Sequence, residues 1–404
     1  MLKIAIISKA NASGGGASRF AEDLALWINE GGHLCHHYCT QVHGDLKPFQ
    51  RHLHSRDFLA RASRVLHRKT RKWGFSEILP LDYLGEFQNL LREYDILHFH
   101  DHFMAYSMGA VAFSSLSQKV FFTAHDCLHF SGGCLYPAGC ERFEIGCGQC
   151  PQAVWLGKRD GSRALQYANR LCASKGNIQF IYPSQWLLKV SQKAITHKIR
   201  PVHIPYGFTP NRYKILNREE ARNRIGIQKG RAVVCISAHF LGDLRKGIRY
   251  AINAIQSIKK HKPLVLCMGE PSGELVTGLE GLDFWMSGYV SSKEKIGCIF
   301  AAADVFLFCP LEDNLPISVQ ESMACGTPVV GFATGGVPEM IRDGLDGWLV
   351  KTGDQEALNA VLECAVTSLE EAHKRGISAR GHLQEEFSVD VCIEKHLSLY
   401  KGVK

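Results

Sequence analysis

The sequence predicts an α/β protein made of two doubly wound domains, each with a parallel sheet. Its 404 residues are long for one domain, and two domains of about 200 residues each are expected. Apolar runs alternate with longer segments that can form helices, which is typical of parallel βαβ units. The runs fall into two series, separated by a stretch rich in proline, glycine and aromatic residues, "HIPYGFTPNRYK". We therefore expect domains at residues 1–205 and 206–385.

The strands can be assigned in chain order. The first series consists of "KIAIIS", "DILHFH", "KVFFTAH", "IQFIYPS" and "VHIPY", with a further strand near "HHYCTQ". The second series consists of "AVVCIS", "PLVLCMG", "FWMSGYV", "DVFLFCP", "TPVVGFAT" and "GWLVKTG". Its members are continuously apolar, as expected of strands buried on both faces of a sheet. Residues 386–404 are predicted to form a helix that could return to the first domain.

Composition indicates an ordinary folded protein, with 46% hydrophobic and 21% charged residues and a net charge of +8. The first apolar run is too short for the core of a signal peptide. No window approaches the length of about 18 apolar residues that a membrane span needs. The sequence therefore predicts a cytoplasmic protein, whose many cysteines stay reduced.

The basic segment 51–72 is predicted to form an amphipathic helix, because its apolar residues recur at helical spacing. Such a helix could hold the protein at an anionic membrane surface, peripherally at the inner face of the plasma membrane. A solvated basic face is the alternative. Nucleic acid is not an expected partner, because no recognition module accompanies the charge.

Candidate site residues follow the strands, since ligands of open α/β sheets gather at the carboxyl ends of the strands. Gly14, Gly15 and Gly16 precede a helix and could bring amides close to a phosphate, although a tight turn without ligand is the alternative. The spacing differs from the dinucleotide fingerprint, which argues against a nicotinamide cofactor. His98, His100, His125 and Asp126 also follow strands and are expected to face an interdomain cleft.

In the second domain, two cations and two carboxylates stand at strand ends. Arg245 and Lys246 precede a helix, where positive charge is unfavourable unless an anion compensates, so a diphosphate site is expected; a solvated basic turn is the alternative. Asp313 follows the strand "DVFLFCP", Pro316 lies near the start of the next helix, and Glu321 lies about one turn further on. Carboxylates accept hydrogen bonds from hydroxyls, so the pattern predicts a nucleotide-sugar clamp.

The stretch "EDNLPISVQESMACGTPVV" resembles the donor-binding segment of family 4 glycosyltransferases, and the likeness extends over nearly the whole chain. These are retaining enzymes of the GT-B fold, in which two Rossmann-like domains face a cleft. The resemblance implies an N-terminal acceptor-binding domain and a C-terminal domain that binds the nucleotide-sugar donor. It also implies that no cofactor or catalytic metal is required.

The resemblance also implies roles for residues. Glu321 would bind the ribose hydroxyls, Asp313 the donor sugar and Lys246 the diphosphate. His125 corresponds to the active-site histidine, and we take His125 and Asp313 as the catalytic candidates. The other donor-side candidates are Gly15, Gly16, Arg245, Asn314, Leu315, Pro316 and Glu339, and those on the acceptor side are His100 and Asp126.

Two departures from the family pattern concern the same site. The first acid is usually glutamate, and Asp313 is one methylene shorter. The family's phosphate-binding arginine has no counterpart, because His239 stands near its place, and Arg245 could supply the charge. We expect transfer from a UDP- or GDP-sugar to a glycan or polyprenyl-linked acceptor, as in bacterial capsular, colanic-acid-like or O-antigen synthesis. A nucleotide-sugar epimerase and a non-catalytic nucleotide-sugar binding protein are the alternatives.

A cysteine-rich insertion at 127–151 contains the pattern C-x5-C-x6-C-x2-C, formed by Cys134, Cys140, Cys147 and Cys150. Four thiolates with a closing CxxC suit a tetrahedral structural zinc ion. Free thiols are one alternative, and a redox disulfide or an iron–sulfur cluster is another. A closed site of this kind would shape the acceptor side and take no part in the chemistry.

Overall fold

The structure is a computed structural model, and it describes residues 1–53, 62, 65–67, 69–70, 79–80, 83, 87–152, 160–195, 198, 200–228 and 230–402. The chain separates into two compact units. Unit 1 contains Met1–Tyr206 together with Cys392–Lys404, and unit 2 contains Gly207–Val391. The first division lies one position after the one predicted from the sequence, and the second lies between Val391 and Cys392 instead of after residue 385.

Unit 1 is built on a seven-stranded sheet in which all neighbouring strands are parallel. The strands are β1 (Lys3–Ala10), β2 (Leu34–Gln41), β3 (Gln50–His52), β4 (Ile96–His100), β5 (Val120–Thr123), β6 (Ile178–Tyr182) and β7 (Val202–His203). They lie in the order β3-β2-β1-β4-β5-β6-β7. β4, β5 and β6 are buried along their whole length, which explains why they are largely apolar, although β4 also buries His98 and His100 and β6 buries Gln179.

The helices of unit 1 connect these strands. They are α1 (Gly16–Glu30), α2 (Gln88–Glu93), α3 (Met108–Ser117), α4 (Arg142–Ile145), α5 (Ser162–Lys175) and α6 (Gln185–Ala194). The side chains of Ser107 and Ser184 accept hydrogen bonds from the first turns of α3 and α6, which fixes where these two helices begin.

Unit 2 is built on a six-stranded parallel sheet in the order β10-β9-β8-β11-β12-β13. Its strands are β8 (Val233–Phe240), β9 (Leu264–Glu270), β10 (Asp283–Met286), β11 (Val305–Phe308), β12 (Val329–Phe332) and β13 (Gly347–Val350). Its helices are α7 (Arg218–Ile225), α8 (Ile248–Ser257), α9 (Gly273–Gly278), α10 (Lys293–Ala302), α11 (Ile317–Ala324), α12 (Gln355–Thr367) and α13 (Leu369–Glu386). The prediction of two Rossmann-like parallel-sheet domains is confirmed.

The last helix, α14 (Val389–Lys401), places most of its length in unit 1. Tyr400 is buried there, and its hydroxyl is hydrogen-bonded to His98 Nδ1 at 2.6 Å. The ring of Tyr400 also packs edge-on against Phe121 of β5, with ring centroids 4.8 Å apart. The C-terminal helix therefore completes the core of unit 1.

The predicted membrane-surface helix falls largely outside the described residues. Within 51–72, the structure describes only 51–53, 62, 65–67 and 69–70. The membrane role of this segment therefore stays a prediction. Among the helices that the structure describes, none combines the length and the apolar character needed to cross a membrane.

Candidate functional site

The predicted cations and the first predicted acid of unit 2 meet in the loops that follow β8 and β11. Lys246 Nζ donates a hydrogen bond to Asp313 Oδ2 at 2.6 Å, and Arg245 Nη1 lies 3.7 Å from the same oxygen. Arg245 Nη1 also donates to the carbonyl of Glu312 at 2.8 Å. Both predicted cations therefore lie at the carboxylate, and the guanidinium fixes the loop that carries it.

Asp313 is buried and ionised. Burial alone would raise the pKa of its carboxyl group. The charges of Lys246 and Arg245 and the hydrogen bonds from Lys246 and the Asn314 amide outweigh burial, so the pKa of Asp313 lies below its ordinary value. The site thus holds a carboxylate beside two cations. The two cations could also contact an anionic ligand.

The loop after β12 is tied to the loop that carries Asp313. Gly336 N donates to the carbonyl of Asn314 at 2.8 Å, and Thr334 Oγ1 donates to the carbonyl of Leu311 at 2.9 Å. Gly335 has a φ of 56°, and a Cβ atom at this position would lie 1.6 Å from the carbonyl oxygen of Asp313. Only glycine permits this approach. The half-buried Glu339 ends the short 3-10 turn that follows.

The second predicted acid, Glu321, is buried on α11. It accepts a hydrogen bond from the Tyr213 hydroxyl at 3.0 Å. Pro316 stands at the N-cap position of α11, directly before its first residue, Ile317. The sequence does not identify Tyr213 as a site residue. It is one of several aromatic residues in the Pro/Gly-rich stretch "HIPYGFTPNRYK", and nothing local distinguishes it.

Replacing Tyr213 with phenylalanine is expected to lower the free energy of unfolding by about 1.5 kcal/mol, the lower end for a hydrogen bond to a charged group, because Glu321 keeps other contacts. Urea denaturation measures this change. A double-mutant cycle with Glu321→Ala, which removes the acceptor, isolates the interaction. Strictly additive effects of the two substitutions would contradict a direct Tyr213–Glu321 bond.

In unit 1, the glycine-rich loop leads from β1 into α1. Gly15 occupies the N-cap position with a φ of 102°, and the first turn of α1 carries no acidic residue and no side-chain cap. The exposed Gly16 is the first helical residue. This helix start can offer its backbone N–H groups to a phosphate, as the sequence predicts.

A buried carboxylate that the sequence analysis missed supports this loop. Glu22 accepts hydrogen bonds from the Ala12 amide at 2.7 Å and from Gln50 Nε2 at 2.8 Å, and it forms an ion pair with Lys47. Burial opposes ionisation, but Lys47 and the Ala12 amide keep the pKa of Glu22 below its ordinary value. Glu22 stands next to a second acid, Asp23, so no local pattern marks it as the buried one.

His125 is buried and has both ring nitrogens engaged. Its Nε2 lies 3.0 Å from His100 Nδ1, and its Nδ1 lies 2.5 Å from the Tyr206 hydroxyl. Burial lowers the pKa of His125 to about 3, so the ring is neutral near pH 7. His100 is buried beside it, and His100 Nε2 has no hydrogen-bond partner among the described residues.

The structure places His98 and His100, which the sequence predicts to face a cleft, in the interior of unit 1. His98 is fully buried, with Nδ1 bonded to Tyr400 and Nε2 2.8 Å from Thr123 Oγ1, so it serves the core of unit 1. His100 is also fully buried and contacts His125. The half-exposed Asp126 accepts a hydrogen bond from the Leu128 amide at 2.8 Å.

Part of unit 2 is similar to a known protein family. Residues 231–367 match the family model described as glycosyl transferases group 1. This segment is less than half of the chain, and we call it the group 1 domain because of this similarity. This group 1 domain includes Arg245, Lys246, Asp313, Glu321 and Glu339, and so it spans the cluster described above.

Named relatives extend the likeness. The alpha-maltose-1-phosphate synthase of Mycolicibacterium smegmatis is 31% identical over 204 residues, which cover 46% of this chain and 51% of the relative. The putative colanic acid biosynthesis glycosyltransferase WcaL of Salmonella typhimurium is 31% identical over 132 residues, covering 29% of this chain and 32% of the relative. The chain thus spans about half, or less, of the curated relatives it matches.

A solved structure matches the whole chain. The Alr3699/HepE protein of Anabaena, solved in complex with UDP and glucose, has a TM-score of 0.72, with 16% identity and full coverage of both chains. At this identity the match shows the fold alone. The fold outside the group 1 domain is therefore also that of the GT-B glycosyltransferases.

Proposed function

We propose that the protein is a retaining glycosyltransferase that moves a hexose from a UDP- or GDP-sugar to a glycan or polyprenyl-linked glycan in polysaccharide synthesis. The observation that supports this proposal most directly is the hydrogen bond from Lys246 Nζ to Asp313 Oδ2 at 2.6 Å. Arg245 lies beside this pair, and all three residues belong to the group 1 domain. A buried carboxylate held by two cations is suited to a ligand that brings both negative charge and hydroxyl groups.

The donor follows from the chemistry of these groups. A diphosphate would take the charge of Lys246 and Arg245, while Asp313 would be released to accept hydrogen bonds from sugar hydroxyls. Glu321 would accept hydrogen bonds from the ribose, with Tyr213 fixing its orientation. Asn314, Leu315 and Pro316 lead from the acid to α11, and the tie from Gly336 to Asn314 holds this stretch in place.

Transfer needs a stabilised leaving diphosphate and a positioned acceptor hydroxyl. Lys246 and Arg245 would stabilise the negative charge that develops on the leaving group. Asp313 and Glu321 are committed to donor binding, so we do not propose a double displacement with a carboxylate nucleophile. The acceptor would attack on the face from which the diphosphate leaves, with a donor phosphate oxygen taking its proton.

His125 would act on the acceptor side as a neutral hydrogen-bonding group, because its pKa of about 3 leaves no imidazolium near pH 7. The Gly15 and Gly16 amides would hold a phosphate oxygen, and the carboxylate of Asp126 would accept from an acceptor hydroxyl. The likeness to a colanic acid glycosyltransferase supports a glycan acceptor, and a relative of the same fold solved with UDP supports a nucleotide donor. The basic segment 51–72 would bring the protein to the membrane that carries a polyprenyl-linked acceptor.

The test is a thermal-shift panel of UDP, GDP, ADP, CMP and their sugar conjugates, followed by transfer assays with the stabilising donor. A ligand that binds only the folded state raises its midpoint, and one nucleotide is expected to stand out. NMR of the product is expected to show the anomeric configuration of the donor. Inversion would contradict the retaining mechanism, a changed nucleotide sugar formed without acceptor would indicate an epimerase, and binding without transfer or hydrolysis would indicate a binding protein.

A further inference from the structure

The four cysteines of the C-x5-C-x6-C-x2-C pattern line a single cavity in unit 1. Cys134, Cys140, Cys147 and Cys150 all contribute to its wall, and all four are half-buried free thiols. The four thiols therefore border the same space.

The backbone has the same feature before each cysteine. Every one of the four follows a residue with a positive φ: Gly133 (117°), Gly139 (76°), Gly146 (152°) and Gln149 (48°). For Gln149 this conformation is unfavourable by about 1 kcal/mol, so the surrounding contacts must hold it. The chain thus turns sharply on entering each cysteine, and the four turns present the cysteines to one cavity.

Side chains from the insertion and from the segment that follows it hold the CxxC stretch. Gln166 Oε1 accepts a hydrogen bond from the Cys147 amide at 2.6 Å, and Asp160 Oδ2 accepts one from the Cys150 amide at 2.9 Å. Arg142 Nη1 donates to the carbonyls of Gly148 and Gln149, at 2.6 and 2.9 Å. These contacts fix the CxxC stretch through its amides and carbonyls.

We propose that Cys134, Cys140, Cys147 and Cys150 bind one zinc ion in a closed, tetrahedral four-sulfur site. Each thiol would release its proton to solvent as its Zn–S bond forms, because a bound cation makes the thiolate the stable form. Arg142 also lines the cavity, and its positive charge would offset the negative charge of the four-thiolate centre.

As the side chains stand, the described residues contain no group of three or more Cys, His, Asp or Glu that could hold a metal ion. Binding therefore requires the thiols to turn into their shared cavity, while the backbone turns stay as they are. A closed site has no open coordination position, so the ion would stabilise the insertion and not take part in sugar transfer. The insertion begins two positions after His125, and its stability bears on that part of unit 1.

Metal analysis of the full chain, purified without a histidine tag, tests the proposal. We expect about one zinc ion per chain, bound by four sulfur atoms at about 2.3 Å in X-ray absorption. Cys147→Ser is expected to lose the zinc, whereas the matched control Cys364→Ser, which alters an exposed cysteine of α12 in unit 2, is expected to retain it. Equal zinc content in the two variants would overturn the proposal.

A second measurement uses the unaltered chain, because a cysteine variant could fail to fold. Stepwise blocking of the thiols with a mercurial reagent is expected to release zinc in proportion to the thiols blocked, as a metal-sensitive dye reports. A metal-free chain with four reactive thiols in the insertion, disulfides found by mass spectrometry, or bound iron and sulfide would each overturn the proposal. None of these readouts depends on transferase activity.

Discussion

Replacing Lys246 with alanine is expected to lower sugar transfer by about 10²–10³-fold, the usual effect of removing one charged group that stabilises a leaving group. Lys246 Nζ is the closest cationic atom to Asp313 in the described structure, at 2.6 Å, compared with 3.7 Å for Arg245. Its removal would take away the proposed diphosphate contact and would leave Asp313 with less positive charge. Donor binding is expected to weaken, and isothermal titration with UDP or GDP measures the change.

The control for Lys246→Ala is Arg249→Ala. Arg249 is an exposed cation on α8 that pairs with Glu274 at 2.7 Å, so this variant removes the same charge from the same region. We expect it to transfer sugar normally. Binding of the nucleoside alone should be unaffected by Lys246→Ala, because the proposed ligand contact of the ammonium group is with the diphosphate. An unchanged affinity for the nucleoside diphosphate would contradict the proposed site.

Acid is expected to destabilise unit 1 in the range from about pH 6.5 down to about pH 4. All the buried histidines among the described residues lie in this unit. Burial lowers the pKa of His37 and His396 to about 4 and that of His102 and His125 to about 3. In each case the pKa of the histidine is lower in the folded than in the unfolded protein. The contribution of the neutral histidine to folding stability is therefore complete above the unfolded-state pKa, and it is lost as pH falls toward the folded-state pKa.

The expected size of the acid effect is several kcal/mol. At about pH 5.5, one unit below the ordinary histidine pKa, the unfolded protein binds a proton at each histidine that stays neutral in the folded protein. Relative to neutral pH, each such histidine lowers the free energy of unfolding by about 1.4 kcal/mol. Several together would remove much of a total of about 5–15 kcal/mol. Hydrogen exchange corrected for its intrinsic pH dependence measures this, with the strands of unit 2 as the control in the same chain.

A variant sharpens the acid experiment. His102 is buried against the ring of Phe122, with ring centroids 5.7 Å apart, and His102→Phe removes one titrating group from this environment. The slope of the unfolding free energy against pH is expected to correspond to about one fewer proton taken up on unfolding in this variant. Equal acid sensitivity of the two units would contradict the explanation.

Most of the fold could be predicted because buried parallel strands have continuous apolar sequences. Each strand of unit 2 corresponds to a predicted run. The strand that could not be predicted is β3 (Gln50–His52), whose sequence "QRH" is polar and which pairs only with β2 at the edge of the sheet. Its conformation depends on a neighbour and not on its own hydrophobic pattern.

The site could be predicted only as far as its residues follow strands. Arg245, Lys246 and Asp313 meet because β8 and β11 are adjacent in the sheet, which places the loops after them together. The partners Tyr213 and Tyr206 are separated by 108 and 81 positions from the side chains they contact, and no local pattern encodes such a pairing. His98 follows a strand too, but its side chain points to the core, which position alone does not reveal.

The path of the chain makes unit 2 an insertion within unit 1. The two ends of unit 2 are adjacent, since Phe208 N donates to the carbonyl of Phe387 at 2.9 Å. In a chimera joined by a single crossover near Tyr206, the C-terminal helix would come from the other protein, whereas the rest of unit 1 would come from this one. His98 and Phe121 would then pack against a helix that does not carry Tyr400 of this chain. Exchange of unit 2 between proteins of this architecture therefore calls for two crossovers, one on each side of the inserted unit.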